Sequence, residues 1–172
     1  MEVKDLALDA LNDAQAALMQ AVDGLSQEEL MWQPQPGANH IAFILWHMLR
    51  VEDWFLQYMF QRVPQVWESE KWHEKLNLPD DPRTTGVFYT AEQIDSFPRV
   101  NLGDLLAYGE AVRARTVHYL RNVDPAKLDE IVKSRHFGEV SIGTVIGHMI
   151  CEIAQHVGQI AYIRGLVKGQ GK

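Results

Sequence analysis

Within residues 148–160, HMICEIAQHVGQI, a histidine, a glutamate and a second histidine recur at four-residue spacing as His148, Glu152 and His156, in an otherwise apolar run. A step of four turns an α-helix by about 400°, so Glu152 and His156 stand on one face roughly 6 Å apart along the axis, able to converge on one point. Two ligands from one helix share a metal ion in this way. His148 lies a further turn back, and three ligands from one straight helix would be strained. A pair is therefore expected, with His148 as a pocket acid or base or as a competitor for a ligand position. The third ligand must come from another helix. His47, in the middle of the apolar segment containing WHML, is the candidate, because facing helices of a bundle build metal sites in their core. Two imidazoles and a carboxylate with an open position suit a divalent transition ion, zinc by default, with nickel, iron or manganese as alternatives. The same donor set serves non-haem iron(II) oxygenases.

Each feature alone has an ordinary explanation: a core histidine is usually hydrogen-bonded, and an E-x-x-x-H spacing is usually a surface pair. The weight comes from the surroundings, where Ile150, Ile153, Ala154, Val157 and Ile160 leave little of this helix for solvent. Gln159, three residues after His156, and Arg50, three after His47, are candidates to orient a ligand or a substrate anion. His40 is expected at the pocket mouth, and Cys151 as a small buried residue rather than a nucleophile. Trp46, Trp54, Trp67 and Trp72 are expected to pack, or else to wall a pocket.

The elements that must hold these residues are helices. Apolar positions from Val3 to Leu25 recur at steps of three and four, and Ser26 with Glu29 marks a new helix start. QPQPGAN (33–39) interrupts, with Asn39 able to cap the strongly apolar helix expected over about 40–62. Residues 63 to about 100 read as a long, partly ordered crossover, with at most a short helix from Thr90. A third helix is expected over about 101–122, a short piece from Asp124-Pro125, an extended link broken at Gly138, and a last helix from near Ser141 to about Val167. This predicts one all-α domain over 1–172, a four-helix bundle whose long crossover lets helices 2 and 3 run parallel.

Composition bounds the function. With 16 basic against 23 acidic residues, a formal charge of −7 and no basic stripe, the chain is not expected to bind nucleic acid. Its N-terminus carries acidic residues and no long apolar run, so neither a signal peptide nor a membrane anchor is expected. A single cysteine points to a reducing, cytoplasmic location.

LWHMLRVEDWFL (45–56), EIAQHVGQIAYIRG (152–165) and the lead-in WQPQPGANHIAF (32–43) resemble the DinB-like superfamily of bacterial metal-binding four-helix bundles. The resemblance covers the second and fourth helices and is silent on the crossover. It implies a divalent metal held by His47, Glu152 and His156. The commoner family pattern has histidine where this chain has Glu152, and the glutamate resembles the branch of mycothiol-dependent maleylpyruvate isomerases. That branch implies transfer or isomerisation of a small-molecule substrate with a low-molecular-weight thiol as cofactor, and a homodimer. Hydrolysis by metal-activated water and a non-catalytic, stress-associated module with a structural metal are the alternatives.

Overall fold

The structure, a computed structural model, describes residues 2–134 and 137–169. Four long helices make the frame: α1 (Val3–Val22), α3 (Ile41–Asp53, continued by a π-helical stretch Trp54–Gln61), α7 (Leu102–Asn122) and α8 (Ile142–Lys168). Their starts follow side chains that satisfy the orphan N–H groups of a first turn. Ser26 and Glu29 form a capping box on the single turn α2 (Gln27–Leu30). Asn101 caps α7 through the Gly103 and Asp104 amides, and Ser141 caps α8 through Thr144. At α3 the cap is His40, whose Nδ1 accepts from the Phe43 amide. That corrects the expectation for Asn39, and also removes His40 from the pocket mouth, because the ring is buried against Phe43 and Phe97.

Side-chain pairs fix the helix directions. Along α3 and α7, Leu49 meets Gly109, Arg50 meets Tyr108, Glu52 meets Arg113 and Thr116, and Phe60 stacks on Tyr119. From the Leu49 and Arg50 contacts to Phe60 the residue numbers on both helices rise, so the two helices run parallel, as the long crossover allows. On α8 the order reverses: Ile44 shares a wall with Ile163, and His47 meets His156 and Glu152, so α8 is antiparallel to α3. Lys168 donates to the Gly24 carbonyl, which sets α8 parallel to α1. The result is a four-helix bundle in which α3 touches both α7 and α8.

α3 is the central element. Ile41, Ile44, Leu45 and Met48 are buried, as are Trp46 and Leu49, so the helix is enclosed almost all round, and His47 is the side chain left partly open. Burying each large apolar side chain contributes about 1.5–3 kcal/mol. Such a helix cannot exchange faces without exposing that surface. Val3 and Leu6, in contrast, lie exposed at the free end of α1, beyond the reach of the bundle.

The crossover contains more order than the sequence suggests. It holds α4 (Val66–Ser69), α5 (Trp72–Leu76) and α6 (Ala91–Asp95), the last capped by Thr90 as expected. Trp67 and Trp72 are packed inside it, against Tyr108 of α7. After α7, a 3₁₀ turn (Pro125–Asp129) leads into an antiparallel hairpin of β1 (Ile131–Ser134) and β2 (Gly138–Ser141), where an extended link was expected. Among the described residues no helix is long and apolar enough to cross a membrane.

Candidate metal centre

His47, Glu152 and His156 come together between α3 and α8, each offering a donor atom within 4.8 Å of the others. The Glu152 Oε1 atom lies 3.8 Å from His47 Nε2 and 3.7 Å from His156 Nε2. Both distances are too long for hydrogen bonds. The two imidazoles are near-perpendicular, with ring centroids 5.0 Å apart. The side chains are 12, 23 and 17 % exposed in sequence order, so the cluster lies at the floor of a cleft rather than on the surface.

The other nitrogen of each ring is engaged. His47 Nδ1 is 2.6 Å from the Thr85 carbonyl, and a carbonyl can only accept, so Nδ1 carries the proton and Nε2 has a lone pair. His156 Nδ1 donates in the same way to Gln159 Oε1 at 3.0 Å. His156 Nε2 is buried and has no hydrogen-bond partner. A buried ring nitrogen left without a partner is costly, and here it faces a carboxylate oxygen across a gap. A tetrahedral ion with bonds of about 2.0–2.1 Å sets its donor atoms roughly 3.4 Å apart, so this gap is of the right size after a small contraction. The donor set therefore fits a divalent ion. Burial disfavours the Glu152 charge, but attraction from the flanking imidazoles outweighs it and holds this carboxyl at a pKa of about 2. Burial likewise opposes protonation of His156, yet Glu152 and Gln159 together raise its pKa above 6.5. Glu152 and His156, which stabilise each other's charge, would release that shared proton to an incoming cation.

His148 is one turn before Glu152, with Nε2 3.8 Å from the second carboxylate oxygen, Oε2, and its ring edge-on to Phe137. It faces the side of Glu152 away from His47 and His156, as the helical geometry predicts. Gln159 has the orienting role expected of it. Arg50 does not face a ligand. It is fully buried and donates to Thr84 O at 3.2 Å, Pro82 O at 2.9 Å, Gln65 Oε1 at 2.9 Å and Tyr108 OH at 3.3 Å, with its guanidinium over Trp67 and 3.6 Å from Asp53. Asp53 in turn accepts from the Val66 and Trp67 amides. Arg50 thus pins the crossover segment whose next carbonyl, Thr85, holds His47. Only the fold brings residues 82–85 to α3, and the one hint in the sequence was a charged residue inside a buried helix.

Two other expectations are corrected. Cys151 is exposed, because one residue beyond the Ile150 position the helix surface already faces solvent. Ala154, Gln155, Gly158 and Gln159 are exposed as well, so α8 has a wet face along its length. Trp46, Trp67 and Trp72 pack in the core, whereas Trp54 lines the cleft. That cleft, about 1110 Å³, opens over the three candidate ligands and is walled by the π-helical stretch, the 85–89 turn and the hairpin. π-helical turns often mark functional sites, and here the stretch carries Trp54, Phe55 and Tyr58 into the wall.

Among solved structures, a conserved protein of Enterococcus faecalis superposes with a TM-score of 0.88 over 99 % of both chains at 23 % sequence identity, a likeness of fold. No curated protein matches the chain. Residues 10–160 match the DinB superfamily, which spans the bundle from α1 to α8 and includes all three candidate ligands: the chain belongs to the DinB superfamily.

Proposed function

We propose that the protein is a divalent-metal-dependent enzyme acting on a small molecule, with His47, Glu152 and His156 as the metal ligands and zinc as the ion. The observation that carries this is the convergence of two imidazole Nε2 lone pairs and one carboxylate oxygen at a cleft floor, with both rings set in the matching tautomer by Thr85 and Gln159. When bound, a divalent ion there supplies Lewis acidity that lowers the pKa of a thiol or a water taken into its open position. The chain's own residues do the rest. Glu152 contributes one negative charge, so the occupied centre keeps a net charge near +1 and favours an anionic donor. The aromatic wall beside it strengthens that attraction once a ligand covers the cleft and displaces its water. These features support a low-molecular-weight thiol as co-substrate in a transferase or isomerase reaction, with hydrolysis by bound water as the competing outcome. Zinc is placed ahead of nickel, manganese and iron by its preference for tetrahedral nitrogen and oxygen donors.

The test is metal content. Protein purified without chelators, or reloaded with zinc, is expected to hold one ion per chain, and His47→Ala and His156→Ala are expected to hold none; full retention by both variants sinks the site. His148→Gln should keep the ion, since its nitrogen faces the far oxygen of Glu152. Turnover with a thiol co-substrate that disappears on chelation separates an enzyme from a module with a structural metal, in which chelation lowers the melting temperature alone. Pairing of two chains is part of the same proposal, supported by the exposed Tyr162, Leu166 and Met19 on α8 and α1, and light scattering decides it. The exposed thiol of Cys151 supports a reducing, cytoplasmic location.

A further inference from the structure

The wall of the cleft is built unlike the rest of the surface. The chain has an excess of acidic residues, yet Glu152 is the only acidic side chain among the described residues that line the cleft. Arg83 and Lys133 are the cations at its edge, each exposed and each paired with a carboxylate outside the lining, Asp81 and Glu139. Exposed pairs of this kind steer a charged ligand more than they anchor it. Much of the rest of the wall is aromatic, with Trp54, Phe55, Tyr58, Phe88 and Phe137 all lining it.

Phe88 stands out within that wall. It is 92 % exposed, and its backbone has φ +63°, a left-handed conformation that an L-residue with a bulky side chain rarely takes. The turn that carries it is closed by the Tyr89 amide on the Gly86 carbonyl, and it is anchored from below by Gly86 against Trp46 and Phe43. A large apolar side chain in water and a strained backbone coincide at one residue, in the wall of the cleft that holds the candidate metal centre. Strain held in place by its surroundings is a mark of ligand-binding segments, and an exposed apolar patch in a cleft marks a surface meant to be covered.

We infer that the cleft takes a small amphipathic anion, a flat apolar body lying against Phe88 and the π-helical aromatics, with a single anionic donor head directed to the open position beside His47, Glu152 and His156. This rests on the metal-centre proposal above and deepens it, since the net positive charge there selects the head while the aromatic wall selects the body. A small hydrophilic anion would leave the wall wet, and an apolar cation would face the occupied centre with the wrong sign.

Calorimetric titration of the full-length, zinc-loaded protein with four probes tests this: 2-naphthoate, acetate as the head without the body, 2-naphthylmethanol as the body without the charge, and 2-naphthylmethylammonium. Naphthoate is expected to bind at one site per chain at least about tenfold more tightly than any of the other three. Phe88→Ala should weaken naphthoate by roughly three- to tenfold while leaving the affinities for acetate and zinc unchanged. Equal binding of acetate or of the ammonium probe overturns the inference, as does a Phe88→Ala variant that binds naphthoate like the parent. Zinc content is read on the same samples. A chain that takes up no zinc overturns the metal centre and this inference with it, whereas a zinc-loaded chain that treats the probes alike overturns this inference alone.

Discussion

Arg50→Lys separates the stability of this fold from the tuning of its metal centre. The guanidinium spans three directions at once, with Nε on Thr84 O, Nη2 on Pro82 O and Nη1 on Gln65 Oε1 and Tyr108 OH. A lysine keeps the charge opposite Asp53, but its single nitrogen cannot reach the same set of acceptors. If two of these hydrogen bonds from a charged donor are lost, at about 1.5–3 kcal/mol each, the variant should lose roughly 3–6 kcal/mol. For a chain of this size that corresponds to a melting temperature lower by about 10 °C, still within reach of a folded protein at room temperature. The same loss frees the 82–85 segment, so the Thr85 carbonyl no longer fixes the His47 ring. Loosening a hydrogen-bonded partner of a metal-ligating histidine costs about ten- to a hundredfold in metal affinity. Thermal unfolding with and without zinc, together with zinc titration against a competing chelator, measures both effects. Arg113→Met is the control, because it breaks the buried pair with Glu52 on the side of α3 that faces α7 and α1. It should lower the melting temperature by a comparable amount and leave zinc affinity alone. If Arg50→Lys is destabilised while its zinc affinity matches the parent's, the link from Arg50 through the crossover to His47 is wrong.

Further outcomes follow from single residues. Burial lowers the pKa of His40 from 6.5 to about 4, only partly opposed by the Ile94 carbonyl and Asp95. Because the unfolded chain binds the proton first, the His40 contribution to stability should be flat above pH 6.5 and fall as pH drops toward 4, by about 3 kcal/mol at 1.36 kcal/mol per pH unit. His40→Asn keeps a capping acceptor without a titrating group, so its unfolding profile should lose this acid slope; an unchanged slope refutes the assignment. A Cβ on Gly86 would lie 2.8 Å from Trp46 and 3.0 Å from Phe43, at φ +88°. Gly86→Ala should therefore cost about 2 kcal/mol or more in denaturant unfolding and displace the turn that carries Phe88. Because the pKa of His156 lies above 6.5, protons compete with the ion. Zinc affinity measured between pH 6 and 8 should rise with pH, and a flat profile would contradict His156 as a ligand.

How much of this was legible in the residues depends on the range of the interaction concerned. The four long helices, the short-helix starts at Ser26 and Thr90 and the last helix start at Ser141 were readable, because capping and the periodicity of apolar residues act within one or two turns, whereas the cap of α3 fell on His40 rather than Asn39. The pairing of Glu152 with His156, and the separation of His148 from it, follow from the geometry of a single helix. The choice of His47 as the partner was reachable because an ionisable group in the middle of so apolar a helix needs a reason. What the residues alone did not determine depends on contacts distant in the chain. Arg50 looked like a candidate for a substrate anion until the crossover closed over it, and Cys151 looked buried until the wet face of α8 was set by where α1 and α3 leave it open. The hairpin at 131–141 has no strong strand signal in its own residues, and it forms where the chain must return to start α8. The cleft itself, lined by the exposed Phe88 and by the candidate ligands alike, exists only once α3, the 82–89 segment and the hairpin are brought together, since no local rule ties residue 88 to residue 152.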